Sequence, residues 1–211
     1  MTERYHEFMF GVPWVMSFFH QDWRHDAPTP AGVVAHQFVD ELYPASVLSV
    51  RRDAQHLVDQ LAPGRIETLW TSCSEERNLF PGCVTDGAVW MRQIIAECDT
   101  WLARRGDEPV LPEADRYDGL ELLDPVLREI AEFTGLLGEE VSEALTECAR
   151  RCTPDLAFRL LLPALRESCL YGPQRPFELS SAQFGRLKRL GSAFHYGEFV
   201  VSEYEYLVYE G

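Results

Sequence analysis

Twice in this chain a threonine is followed directly by a proline at the head of a helical stretch: Thr29-Pro30 and Thr153-Pro154. A threonine hydroxyl accepts from the free N–H groups of a helix's first turn. Proline is tolerated just inside that turn, because its missing N–H would have no partner there. Both pairs therefore read as helix starts. Between such starts, apolar residues recur at spacings of three and four, the period of a helix with one buried face.

On that basis the first half divides into helices at about 12–21, 30–43, 44–61 and 66–72, and a long one from Asp86 as cap to about Arg105. The long helix has Val89, Trp90, Ile94, Cys98, Trp101 and Leu102 on its inner stripe. Pro63-Gly64 is expected to stop the third helix. Residues 106–118 combine two prolines with five acids and lack helical period, which marks them as a linker. Helices follow at about 119–134, 139–152 and 154–170, with Pro163 as a kink, and at 182–194 behind Ser180 and Ser181. Residues 198–209 are β-branched and aromatic with partial alternation. A strand or a final helix both fit, and the alternation favours the strand. The expected fold is mainly α: an N-terminal helical bundle over 1–105 packed on a second helical unit over 119–211, with a short β element near the C-terminus.

At 46% apolar and 12% aromatic, the 211 residues can form a packed core. The longest apolar stretch, Phe8 to Phe19, is interrupted by Gly11, Pro13 and Ser17 and preceded by Glu3, Arg4 and Glu7. It suits neither a membrane span nor a secretory leader, so a cytoplasmic location is expected. Acidic residues number 34 against 19 basic, a net charge of −15. Such a field repels nucleic acid and anionic lipid and attracts basic partners. Six cysteines contain no C-x-x-C pair, and reduced thiols are the simplest account. Neither G-x-S-x-G, G-x-x-x-x-G-K nor H-E-x-x-H occurs.

An aromatic lead, Phe18-Phe19, runs into the polar knot His20-Gln21-Asp22-Trp23. A short acidic loop, a helix over Val33–Leu42 and a tryptophan-bearing helix over Ala88–Leu102 come after it. With these features the N-terminal half, about residues 5–105, resembles the immunity proteins of bacterial contact-dependent growth inhibition systems. The resemblance implies a small helical protein that binds the C-terminal toxin domain of a matching effector. Such a toxin domain is basic if it is a nuclease. The implied inhibitor needs no cofactor and no catalytic residue. Residues 106–211 have no counterpart in it; a second recognition domain and an unrelated function both stay open. The rival readings are an enzyme whose site assembles from dispersed residues and a general protein-binding adaptor or regulator.

Three segments are candidate partner contacts. The first is His20, Asp22 and Trp23, which read equally as a structural turn with Asp22 capping, His20 bonded to it and Trp23 packed inward. The second is Glu139, Glu140, Glu143 and Glu147, one acidic stripe along a helix. The third is Glu203, Tyr204, Glu205 and Tyr206, where tyrosines beside carboxylates resemble an interface.

Overall fold

Among the described residues, four helix starts are capped by side chains. Thr29 Oγ1 accepts from Gly32 N at 3.1 Å, Asp86 Oδ1 from Val89 N at 2.8 Å and Thr153 Oγ1 from Leu156 N at 3.0 Å. Ser180 Oγ accepts from Gln183 N at 3.2 Å while Gln183 Oε1 accepts from Ser180 N at 2.9 Å, a reciprocal cap. These bonds belong to a computed structural model that describes residues 4, 6–105, 109–173 and 178–208.

Among the described residues the helices are α1 Val12–Met16, α2 Pro30–Gln37, α3 Pro44–Gln60, α4 Pro63–Cys73, α5 Gly87–Ala103, α6 Leu123–Glu132, α7 Thr134–Leu137, α8 Glu139–Arg151, α9 Pro154–Tyr171, α10 Ser181–Ala193 and α11 Phe199–Ser202. The chain is mainly helical, and its helices pack on one another. Helix α9 is central: every residue from Pro154 to Leu165 is buried, and the helix continues through Pro163. It packs on α4 and α8, α3 packs on α5, and α6 packs on α8. The buried cluster is continuous from Phe10 to Leu207 and draws on both halves of the sequence. No helix among the described residues is long and apolar enough to cross a membrane.

Several boundaries differ from the sequence reading. The first helix ends at Met16, and residues 23–25 form a separate 3-10 turn. Pro63 opens α4 where a stop is expected, because Leu61 and Ala62 turn extended and leave the proline at the first helical position. The 119–134 stretch divides into a 3-10 turn and α6, followed by α7. The C-terminal β element is not present among the described residues: 199–202 and 205–207 are helical turns. A lone parallel bridge joins Leu179 to Val208. The reason lies in burial. Val200, Val201, Tyr204 and Leu207 are the inward residues, at spacings of four and three that a strand does not produce.

The described part of the expected linker, 109–118, lies against α3. Arg52 donates to the carbonyls of Asp115 and Arg116 and pairs with Asp118. Gly106, Asp107 and Glu108 lie outside the described residues.

Candidate functional site

The aromatic lead places Phe19 at the centre of a tryptophan cluster. Its ring lies 5.4 Å from Trp23, 5.4 Å from Trp70 and 5.6 Å from Trp90, and Trp70 meets Trp90 edge-on at 5.2 Å. Trp23 is 1% exposed and donates its indole N–H to Glu76 Oε2 at 2.9 Å. His20 Nδ1 accepts from the Asp22 backbone N–H at 3.2 Å, while the Asp22 side chain makes no capping bond. His20 and Asp22 face solvent, and the Trp23 ring faces the core. The polar knot thus closes a turn over the aromatic cluster and exposes only its short side chains.

On α8, Glu139, Glu140 and Glu143 are exposed and Glu147 is half-buried. Much of the stripe is already answered from α4. Arg65 pairs with Glu143 at 2.9 Å and Glu147 at 3.3 Å, Arg151 pairs with Glu147 at 2.8 Å, and Thr68 donates to Glu140 at 3.0 Å. Arg65 was not part of the sequence reading, because its proximity to α8 depends on how α4 packs.

The C-terminal candidates meet the N-terminal segment. Glu203, Tyr204 and Tyr206 line a cleft of about 280 Å³ together with Phe8, Met9, Trp14, Arg166 and Cys73. Phe8 is 58% exposed and stacks on Phe199 at 4.9 Å, and Tyr206 is 61% exposed. Tyr204 is buried at the cleft's base, and burial holds its phenol well above its ordinary pKa. Glu205 points away, 3.8 Å from Lys188. Partial burial raises the Glu203 carboxyl. Burial lowers the Arg166 guanidinium, but the Glu167 carboxylate outweighs it and leaves the pKa raised. Burial pushes the Cys73 thiol up to about 12, and its Sγ donates to Leu160 O at 3.2 Å, so it stays a protonated thiol near neutral pH. The cleft offers an aromatic rim, one carboxyl and one guanidinium to a ligand that approaches from solvent.

The N-terminal segment that supplies Phe8 and Met9 to this cleft is also tied into a buried ionic network that the sequence does not announce. Arg159 on α9 is 1% exposed. It donates to Asp53 of α3 through Nη1 at 2.6 Å and Nη2 at 2.9 Å, to Asp155 Oδ2 at 2.8 Å and to Phe10 O at 3.1 Å. Arg4 reaches Asp155 Oδ1 at 2.8 Å, and Tyr196 donates to the same oxygen at 2.9 Å. Burial alone would raise the Asp155 carboxyl, but Arg159 and Arg4 outweigh it and hold its pKa down. His6 Nε2 lies 3.2 Å from Ser49 Oγ, and burial, then Arg159 and Arg4, lower its pKa to about 4. The network fastens the N-terminal segment, and hence Phe8 and Met9, to α3 and α9. Its one sequence signal is the Asp155/Arg159 pair, four residues apart among the apolar residues of the first half of α9.

Among the described residues no group of three or more His, Cys, Asp or Glu side chains is placed to hold a metal ion; His20, Asp22, His25 and Asp26 do not form one. Searches of protein-family models, curated proteins and solved structures found no match to this chain.

Proposed function

We propose that this chain is an immunity protein that binds a cognate bacterial toxin domain in a one-to-one complex and blocks it. The observation that carries this reading is the cleft where Glu203, Tyr204 and Tyr206 meet Phe8 and Trp14. It sets the solvent-facing rings of Phe8 and Tyr206 beside Arg166, and aromatic and arginine side chains are the ones enriched where proteins bind one another, while Glu203 adds an acid to the same cleft. The net charge of −15 supports it, because a basic toxin is drawn in by the long-range field before short-range contacts form. The resemblance of residues 5–105 to growth-inhibition immunity proteins adds the class of partner.

In this reading the aromatic rim supplies the anchors and the acids supply the approach. Phe19, Trp23, Trp70 and Trp90 tie the His20–Trp23 turn to α4 and α5, which leaves His20 and Asp22 exposed, and Glu139 is the α8 acid least engaged with the chain's own cations. The test is to mix the chain with the C-terminal domain of an effector encoded beside it and measure mass and amide exchange. A one-to-one complex with protection at residues 8–14 and 203–206 is the expected result. A complex whose protection falls wholly elsewhere removes the cleft from the account, and the absence of any complex removes the function.

A further inference from the structure

On the opposite side of α4 from the aromatic cleft lies a second groove, of about 570 Å³, bounded by α4, the α7–α8 corner and the end of α9. Its apolar wall includes Phe80 and Leu137, and its polar lining includes Thr71 and Glu140. Glu167 of α9 also lines it and is only 2% exposed. One of its carboxylate oxygens, Oε1, accepts from Arg166 at 3.0 and 2.8 Å. The other, Oε2, is buried and accepts no hydrogen bond. A second described guanidinium, that of Arg77, forms a looser pair: its Nη2 stands 3.9 Å from Oε2, beyond hydrogen-bond reach, on a side chain that is 51% exposed.

A buried carboxylate oxygen without a donor is costly, and native structures rarely leave one so without a reason. Glu167 is among the residues that line the groove, and the donor that suits a carboxylate oxygen is a cationic one. We propose that the groove receives a guanidinium group, the arginine side chain of a partner protein, which donates to Glu167 Oε2. A guanidinium fits better than an ammonium or a metal ion. A guanidinium stacks on aromatic rings such as that of Phe80 in the groove's wall, and its weak hydration makes entry beside apolar walls less costly. Glu140 at the rim adds a second negative charge. Arg77, on the chain's own 74–85 segment, shows that a guanidinium approaching from solvent reaches the carboxylate's vicinity. An incoming arginine competes with it. The proposal rests on the reading of this chain as a toxin-binding protein and adds which partner residue docks where.

The test uses the full chain, without any toxin, and N-acetyl-arginine amide as the probe, followed by amide chemical shifts. Saturable shifts at α4 and α9 residues lining the groove are expected, with none from the neutral isostere N-acetyl-citrulline amide. Glu167→Gln should weaken the probe about tenfold or more, the loss of one charge-assisted hydrogen bond. Arg77→Gln, on an exposed side chain, should tighten it several-fold by removing the competitor. Equal binding of the citrulline probe overturns the proposal, as does arginine binding unchanged by Glu167→Gln. If Glu167→Gln does not fold, Arg77→Gln decides: weaker or unchanged binding overturns the site. Free guanidinium that saturates the groove as tightly as the amide probe identifies a small-cation site and overturns the partner-arginine assignment. Because no toxin is present, failure here leaves the proposed function standing, and failure to bind a toxin leaves this site standing.

Discussion

Asp53 Oδ2 accepts from both Arg159 Nη1, at 2.6 Å, and the backbone N–H of Val12, at 3.0 Å, so a single carboxylate oxygen joins α3, α9 and the start of α1. The chain can pass this point only because residue 11 is glycine. Gly11 has φ 68° and ψ −150°, and a Cβ there would overlap both Asp53 Oδ2 and Arg159 Nη1.

Asp53→Ala leaves Arg159 with one fewer carboxylate in a site closed to water. Removing one partner of a buried pair costs about 3–5 kcal/mol, and this variant is expected in that range by urea denaturation. Asp53 and Arg159 replaced together by apolar residues should lose less than the single variant, since no lone charge is then buried.

Gly11→Ala combines a backbone region open essentially to glycine with a collision against the ion pair. The backbone part alone costs about 1–3 kcal/mol, and the midpoint in urea should fall accordingly with no change of slope. Gly138→Ala, also at positive φ but with open space at its Cβ, should lose less.

Stability should fall as pH drops from 6.5 to about 4, because of His6. Its folded pKa lies near 4 against an ordinary 6.5, so in this window the unfolded chain binds the proton and the folded chain does not. The contribution is fully present above 6.5 and is lost on acidification, with an upper limit of about 3 kcal/mol for a shift of this size. His6→Gln should flatten the slope across that window. Asp155, whose pKa is also held down, carries the loss to lower pH still.

Within the His20–Trp23 turn, only Trp23 should matter for folding. Trp23→Phe gives up the bond to Glu76 and is expected to cost about 1–2 kcal/mol, whereas His20→Ala and Asp22→Ala should melt near the parent temperature. Thermal unfolding of the three variants separates the roles.

The sequence made some of this legible and hid the rest for physical reasons. Caps are local, so Thr29, Asp86, Thr153 and Ser180 could be read from a few neighbouring residues. Trp23 packing inward was one of two readings of its turn, and burial separates them. The Asp53–Arg159 pair spans 106 positions and the Arg4–Asp155 pair spans more, so nothing local announces them. The α8 acids looked free because Arg65 lies far away in sequence and meets them only through helix packing. The C-terminal segment reads more like a strand than a helix in sequence because its β-branched and aromatic residues partly alternate. The buried set Val200, Tyr204 and Leu207 in fact follows the helical period.

Phe8 and Tyr206 rim the cleft yet carry little of the core, so they isolate binding from folding. Growth of cells that express a neighbouring effector's C-terminal domain, with and without this chain, therefore bears on function most directly. The account predicts that the parent chain restores growth and that a Phe8→Ala, Tyr206→Ala variant with an unchanged melting temperature does not. Growth arrest that persists beside a folded, well-expressed parent chain would contradict it.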